Sequence, residues 1–294
     1  MSNDKKIILF TNVQRDVGFI MTRKVGGMLR EYGKKVVFCP VYDDDMIMYV
    51  PPPDIEMAKI ENELPSAEMI ITFGGDGTIL RAARAVNDAG VPILGVNLGG
   101  KGFIAELEAE DIELIGKAVT YGFEIENRMM LDAEVVRGDK RICRDFALND
   151  IVIKGDNKVV DLMLSGDGQR ISHFSGDGAV IATPTGSTAY SMAAGGPIVE
   201  PAAHNIIITP ICAHTLEAKA FVLISDRRVS VEIGYRKHNP AYMSVDGGEH
   251  ISIQCGDIIN VCKSAKFTRL VRLSSRSFYK KVNEKLGEKI ISGS

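Results

Sequence analysis

The hydrophobic positions of this chain follow two regimes that change near residue 128. In the first third, short unbroken apolar runs alternate with stretches of helical period. Residues 6–11 read as a buried strand, and Ile20, Val25 and Met28-Leu29 place an apolar stripe on a helix near 17–32. Gly33 supplies a helix C-cap, residues 35–39 form the second strand, and Pro51-Pro52-Pro53 marks a loop. A third strand at 69–73, a Gly-rich turn, a helix near 78–89 and a strand at 92–96 complete a βαβ unit. β-branched runs without polar alternation, separated by helices, predict a doubly wound parallel sheet covered on both faces.

From Met130 to Cys262 the pattern shortens. Segments at 131–136, 141–143, 151–153, 159–164, 170–173, 229–234, 251–253 and 258–262 are β-rich and separated by Gly, Asp and Asn. That spacing predicts an antiparallel, sandwich-like β domain. The tail, 278–291, is charged and helix-like. The fold class expected is therefore α/β followed by all-β, with a first domain over 1–127 and a β-rich domain over 128–265.

Composition adds limits. A length of 294 residues favours two domains, and 45% hydrophobic with 25% charged residues is the balance of a soluble globular chain. A net charge of −3 gives no basis for nucleic-acid or anionic-membrane binding. Runs such as 206–208 and 258–262 are too short to span a bilayer, and residues 1–6 lack the apolar core of a signal peptide. Five cysteines with no C-x-x-C spacing read as buried reduced thiols, which suits a cytoplasmic setting.

Two loops carry the candidate chemistry. Gly74-Gly75-Asp76-Gly77-Thr78 follows the strand at 69–73, and Thr183-Pro184-Thr185-Gly186-Ser187-Thr188-Ala189-Tyr190-Ser191 follows an apolar run at 178–182. Glycines at a strand end let backbone N–H groups approach a ligand, and hydroxyls add donors without charge. A carboxylate between glycines, as at Asp76, has room to meet a hydroxyl or a metal and no bulk to hide it. Two such loops predict a phosphate-bearing ligand held between them. Gly100 to Ala105 satisfies G-x-G-x-x-A, and Gly95 to Lys101 satisfies most of a Walker A loop. The first lies outside the first βα turn, and the second has Gly102 where Ser or Thr is needed. A flexible Gly-rich loop closing on the site is the better reading of both.

GGDGT followed by TPTGSTAYS resembles the signature pair of the NAD kinases. Asn149-Asp150 stands where that family carries Asn-Glu. Ser175-Gly176-Asp177-Gly178, Ala194-Gly195-Gly196-Pro197-Ile198 and Cys212-Ala213-His214-Thr215-Leu216 match further segments. The likeness covers roughly residues 70 to 250. GGDGT alone is less specific, because diacylglycerol and sphingosine kinases and phosphofructokinases carry similar glycine-aspartate loops, whereas TPTGSTAY is highly specific. The resemblance implies phosphoryl transfer from ATP, with magnesium, or from inorganic polyphosphate, to the 2′-hydroxyl of the adenosine ribose of NAD. It also implies a C-terminal segment, 266–294, that returns to the first domain, and a homodimer or homotetramer.

On this reading Asp76 either accepts the proton of the ribose hydroxyl or organises magnesium. Gly74, Gly75, Gly77 and Thr78 present N–H groups and a hydroxyl to the triphosphate at a helix N-terminus. Arg81 faces either phosphate or solvent. Asn149 and Asp150 meet the adenine edge and ribose, Asp150 reaching one methylene less far than the family's Glu. Asp177 serves the nicotinamide end or its carboxamide, and Ser175 beside it is a further nucleotide-binding residue. Thr185, Thr188, Ala189, Tyr190 and Ser191 line the dinucleotide, Tyr190 offering a stacking face. Asp177 and Tyr190 are alternatively turn and core residues, and Asp246 is either turn chemistry or a ligand contact. A lipid or sugar kinase would explain Asp76 but leave the second loop without a task. A non-catalytic NAD sensor would have no need of Asp76.

Overall fold

A computed structural model of the chain describes residues 5–41, 55–86, 89–100, 102–215, 218–234, 240–273 and 278–287. The predicted loop at Pro51-Pro52-Pro53, Lys101 of the Gly-rich segment, Leu216, and the ends of the helices predicted at 78–89 and 278–291 lie outside them. The chain divides into two compact units, Met1–Asn127 with Thr268–Ser294, and Arg128–Phe267.

The first unit runs β1 (Lys6–Asn12), α1 (Ile20–Glu31), β2 (Lys35–Val41), α2 (Ile60–Glu63), β3 (Ala67–Gly74), α3 (Asp76–Val86), β4 (Ile93–Asn97), β5 (Leu107–Glu108) and α4 (Glu113–Tyr121). The strands β2-β1-β3-β4 pair in that order and all in parallel. Their apolar runs are buried almost throughout because helices cover both faces. α1 buries Thr22, Val25, Gly26 and Leu29, a single helical stripe. It begins later than the periodicity suggests: the Asp16 carboxylate accepts the N–H groups of Met21 (2.9 Å) and Thr22 (2.8 Å), which sets its start. The strand order reverses between β1 and β3, with β2 added on one side of β1 and β3 on the other, and such a switch point leaves a crevice at the carboxyl ends of the strands. The GGDGT loop lies there.

The second unit contains β6 (Glu124–Arg137), β7 (Lys140–Ala147), β8 (Asp150–Gly155), β9 (Val160–Gly166), β10 (Gln169–Gly176), β11 (Gly178–Ala182), the short α5 (Tyr190–Ala193), β12 (Asn205–Ile211), β13 (Phe221–Ile224), β14 (Val229–Ile233), β15 (Ala241–Val245), β16 (Ile251–Ile253) and β17 (Ile258–Arg272). β13-β12-β11-β8-β15-β16 form one antiparallel sheet, and β10-β9-β14-β17 form a second antiparallel run beside which β6 and β7 pair. Alternate residues of both, among them Ile151, Ile153, Ile181, Ile208 and Met243 against Leu162, Leu164, Val231 and Val261, share one buried core. The opposite face of β8, β11 and β12 is covered as well: Val152, Val180, Ala182 and Ile207 pack under Tyr190, Ala194 and Val199.

Several strands exceed their apolar signal. β17 runs fifteen residues where five were expected, because the small polar residues Ser264 and Thr268 take inward positions and conceal the alternation. β6 begins at Glu124 within a charged stretch. The closing residues of β17 belong to the first unit, where Leu270 pairs in parallel with Ile93, and α6 (Phe278–Gly287) follows. All five cysteines are free thiols. Cys39 is buried and its pKa is pushed up to about 12, by burial first and then by Glu63 and Glu61, whereas Cys212, against expectation, is exposed.

Candidate active site

In the first unit, β3 ends at Gly74 and α3 begins at Asp76. The turn is tight: Thr78 and Ile79 donate their N–H groups back to the Gly75 carbonyl. A side chain at Gly74 would overlap the Thr78 hydroxyl, so this hydroxyl is buried beneath the loop and braces it. Gly75 and Gly77 face open space on the other side, where their backbone is accessible to a ligand. Arg81 lies one turn into α3 and is half-buried.

Asp76 is not as open as two flanking glycines suggest. Its carboxylate accepts N–H groups of Phe103 (2.8 Å) and Ile104 (3.1 Å), and the Ala105 N–H adds to them. The Gly-rich stretch near residue 102 thus serves as a cradle for Asp76, and a side chain at Gly102 would press on Oδ1 at 2.9 Å. Desolvation raises the Asp76 pKa above the usual carboxylate value; the three N–H bonds and the charge of Lys281 oppose it.

In the second unit, Leu148, Asn149 and Asp150 donate three N–H groups to the Asp246 carboxylate at 2.8, 2.7 and 3.0 Å. Asp246 adopts a left-handed backbone (φ 50°) to do so. Its carboxylate is committed to this turn, the bland alternative for that residue. The hydroxyl-rich loop docks on the same turn. Thr183 donates its N–H to the Asn149 carbonyl (2.9 Å) and its hydroxyl to Leu148 (2.6 Å). A side chain at Gly186 would overlap the Asn149 carbonyl.

The dense hydroxyls are turned mostly inward. Ser187 bonds the carbonyls of Pro184 and Val199, Thr188 bonds that of Thr185, Thr185 receives the Arg128 guanidinium at 3.1 Å, and Ser191 pairs with Thr209 at 2.9 Å. A buried irregular loop has backbone groups that no ladder satisfies, and these side chains supply the partners. Ala189 and Tyr190 stay half-buried at its edge. The Tyr190 N–H donates to the Asp150 carboxyl, whose pKa burial and the nearby Asp246 push up to about 7. Asn149 Oδ1 is buried and has no hydrogen-bond partner among the described residues.

Asn149, Asp150, Thr185, Thr188, Ala189, Tyr190, Ser191 and Asp246 therefore converge. Ser175 and Asp177 do not join them. They precede β11, whereas Thr183 follows it, a separation of ~20 Å along the strand. Ser175 donates to the Asp161 carboxylate, and Asp177 lines a cavity of about 630 Å³ with Lys154, Lys158, Tyr242 and His250. Arg128 was missed in the sequence. A charged residue beside Met129-Met130-Leu131 in a strand is the signal that marks it.

Family models for the ATP-NAD kinase N-terminal domain and the ATP-NAD kinase C-terminal domain match residues 19–122 and 148–273. The NAD kinase of Ruminiclostridium cellulolyticum is 36% identical over 292 residues, covering 97% of this chain and 99% of that protein. That of Natranaerobius thermophilus is 38% identical, covering 96% and 98%. Among solved structures, yeast NADH kinase in complex with NADH has the same fold, with a TM-score of 0.83 at 24% identity over 100% of this chain and 90% of that one. The chain belongs to the NAD kinase family, a group of phosphotransferases.

Proposed function

We propose that this chain transfers the terminal phosphoryl group of ATP to the 2′-hydroxyl of the adenosine ribose of NAD, giving NADP. The observation that carries the reading is Asp76, a half-buried carboxylate with raised pKa at the switch point of a parallel sheet, one residue from an open glycine backbone. The ribose oxygen forms a bond to the γ-phosphorus, the bond from that phosphorus to the bridging oxygen breaks, ADP leaves, and Asp76 takes the hydroxyl proton. The N–H groups of 103–105 keep the carboxylate aimed.

Magnesium enters this reading as part of the MgATP substrate. Asn149 Oδ1 is suited to accept a hydrogen bond from the adenine amino group, and Tyr190 offers its ring. Asp177 is left for the nicotinamide end, in this copy or in a neighbouring copy of a homodimer or homotetramer. No described helix is long and apolar enough to cross a membrane, and free thiols suit a cytoplasmic setting.

Incubation of the full chain with MgATP and NAD yields NADP phosphorylated at the 2′ position, read by mass spectrometry and a 2′-specific enzymatic assay. A parallel reaction with polyphosphate ranks the donors. Phosphorylation of a lipid or hexose, with none of NAD, sinks the reading.

Asp150 gives a separate, ligand-free expectation. A carboxyl whose pKa is raised on folding binds its proton more tightly in the native state, so its contribution to stability is largest below pH 4 and lost as pH rises to about 7. Asp150→Asn removes that penalty while keeping an acceptor for the Tyr190 N–H. It raises the melting temperature at pH 8 by a few degrees, on the order of 1–4 kcal/mol, and changes it little at pH 4. An equal shift at both pH values rejects the ionisation account.

A further inference from the structure

The Asp76 carboxylate is held by a loop, and the C-terminal segment holds that loop in turn. Lys281, on α6, donates its ammonium to the Ala105 carbonyl at 2.6 Å. One residue on, Glu106 is buried and receives Arg272 (3.0 Å) and the Leu273 N–H (3.0 Å). Glu108 receives Lys285 (3.2 Å), one turn beyond Lys281 on α6, and also the Asn97 amide (2.7 Å). The Asn97 amide in turn reaches the Gly100 carbonyl at 3.2 Å. On the sheet side, Glu106 donates its N–H to the Gly95 carbonyl at 3.0 Å, which seats the loop on β4.

Residues 105, 106 and 108 are thus each tied by a cation from the last part of the chain. These ties lie immediately after the N–H groups that receive Asp76. Of the three, Lys281 acts nearest the carboxylate, because it grips the residue whose own N–H points at Asp76. α6 buries no residue completely, and its mean hydropathy is low. These polar ties contribute to its placement on the loop. Loss of one charged hydrogen bond that holds a backbone segment misplaces the groups it supports, and small misplacements of a catalytic group are costly in rate.

We propose that Lys281 is a positioning residue for the phosphoryl transfer: it fixes the 103–105 backbone and through it the direction of the Asp76 carboxylate. The inference rests on the reading of Asp76 as the proton acceptor. Lys281 touches neither substrate on this account, so its loss is felt in turnover and not in substrate binding.

The test uses the full chain and steady-state NADP formation. Lys281→Met lowers kcat about tenfold and leaves the KM for NAD and for ATP within about threefold, while Lys281→Arg recovers most of the rate. In the Asp76→Asn background the same Lys281→Met change alters the residual rate less than twofold, because its action passes through the missing carboxylate. Lys281→Gln, which retains a donor, and melting temperatures for each variant separate misfolding from misplacement.

A KM rise without a fall in kcat overturns the inference, as does a tenfold loss that persists in the Asp76→Asn background. Near-normal turnover of Asp76→Asn removes the reading beneath it. A strong Asp76→Asn defect beside an unaffected Lys281→Met removes this inference alone.

Discussion

Asp76→Asn lowers turnover by about 10²–10⁴-fold while NAD binding, measured by calorimetry, stays within a few-fold of the parent. The substitution is nearly isosteric. Asn keeps one oxygen that can accept from Phe103 or Ile104, so the cradle survives and the basic carboxylate alone is lost. The second position is filled by an amide that donates, and it faces backbone donors, so a modest loss of stability accompanies the change. A ribose hydroxyl is a poor nucleophile at neutral pH, and the expected loss is that of a general base. Near-normal turnover would show that Asp76 is a turn residue and that alignment at the phosphates carries the reaction.

Asn149→Ala raises the KM for NAD about five- to 150-fold and leaves that for ATP within about twofold. The estimate is the worth of one buried hydrogen bond, roughly 1–3 kcal/mol. An unpartnered buried oxygen also makes a second expectation possible. Asn149 Oδ1 is desolvated without a partner in the ligand-free protein, so its removal does not lower the melting temperature. The backbone of Asn149, which carries the contacts to Thr183 and Asp246, is untouched by the change. Weaker NAD binding together with undiminished stability marks a residue kept for its ligand. A fall in both marks a structural residue, and a rise in the ATP KM instead overturns the division of substrates between the two units.

The parallel sheet was legible because its strands announce themselves: residues 7–10, 69–71 and 92–96 are unbroken runs without polar alternation, as a sheet buried on both faces requires. The β region was legible as a class and less so as strands. β13, four apolar residues half open to solvent, shows no helical or strand contrast, and β17 hides inward positions under Ser264 and Thr268. The candidate site divides in the same way. GGDGT and TPTGSTAYS were visible as loops because Gly and hydroxyl residues concentrate where backbone leaves regular structure.

What each loop does with its side chains was not visible. By itself the chain's order determined the two regimes of periodicity, the position of both loops at strand ends, and the family resemblance that their wording carries. Only the tertiary structure decided that the hydroxyls of the second loop serve its own backbone, that Asp246 closes the Asn149-Asp150 turn, and that Asp76 sits in the N–H groups of residues 103–105. It alone joined Lys281 to Ala105, across 176 positions. Periodicity is local, written within a few residues by the geometry of helix and strand. Partners for buried polar groups are chosen by whichever segments the fold brings within about 3 Å, and sequence distance has no bearing on that choice.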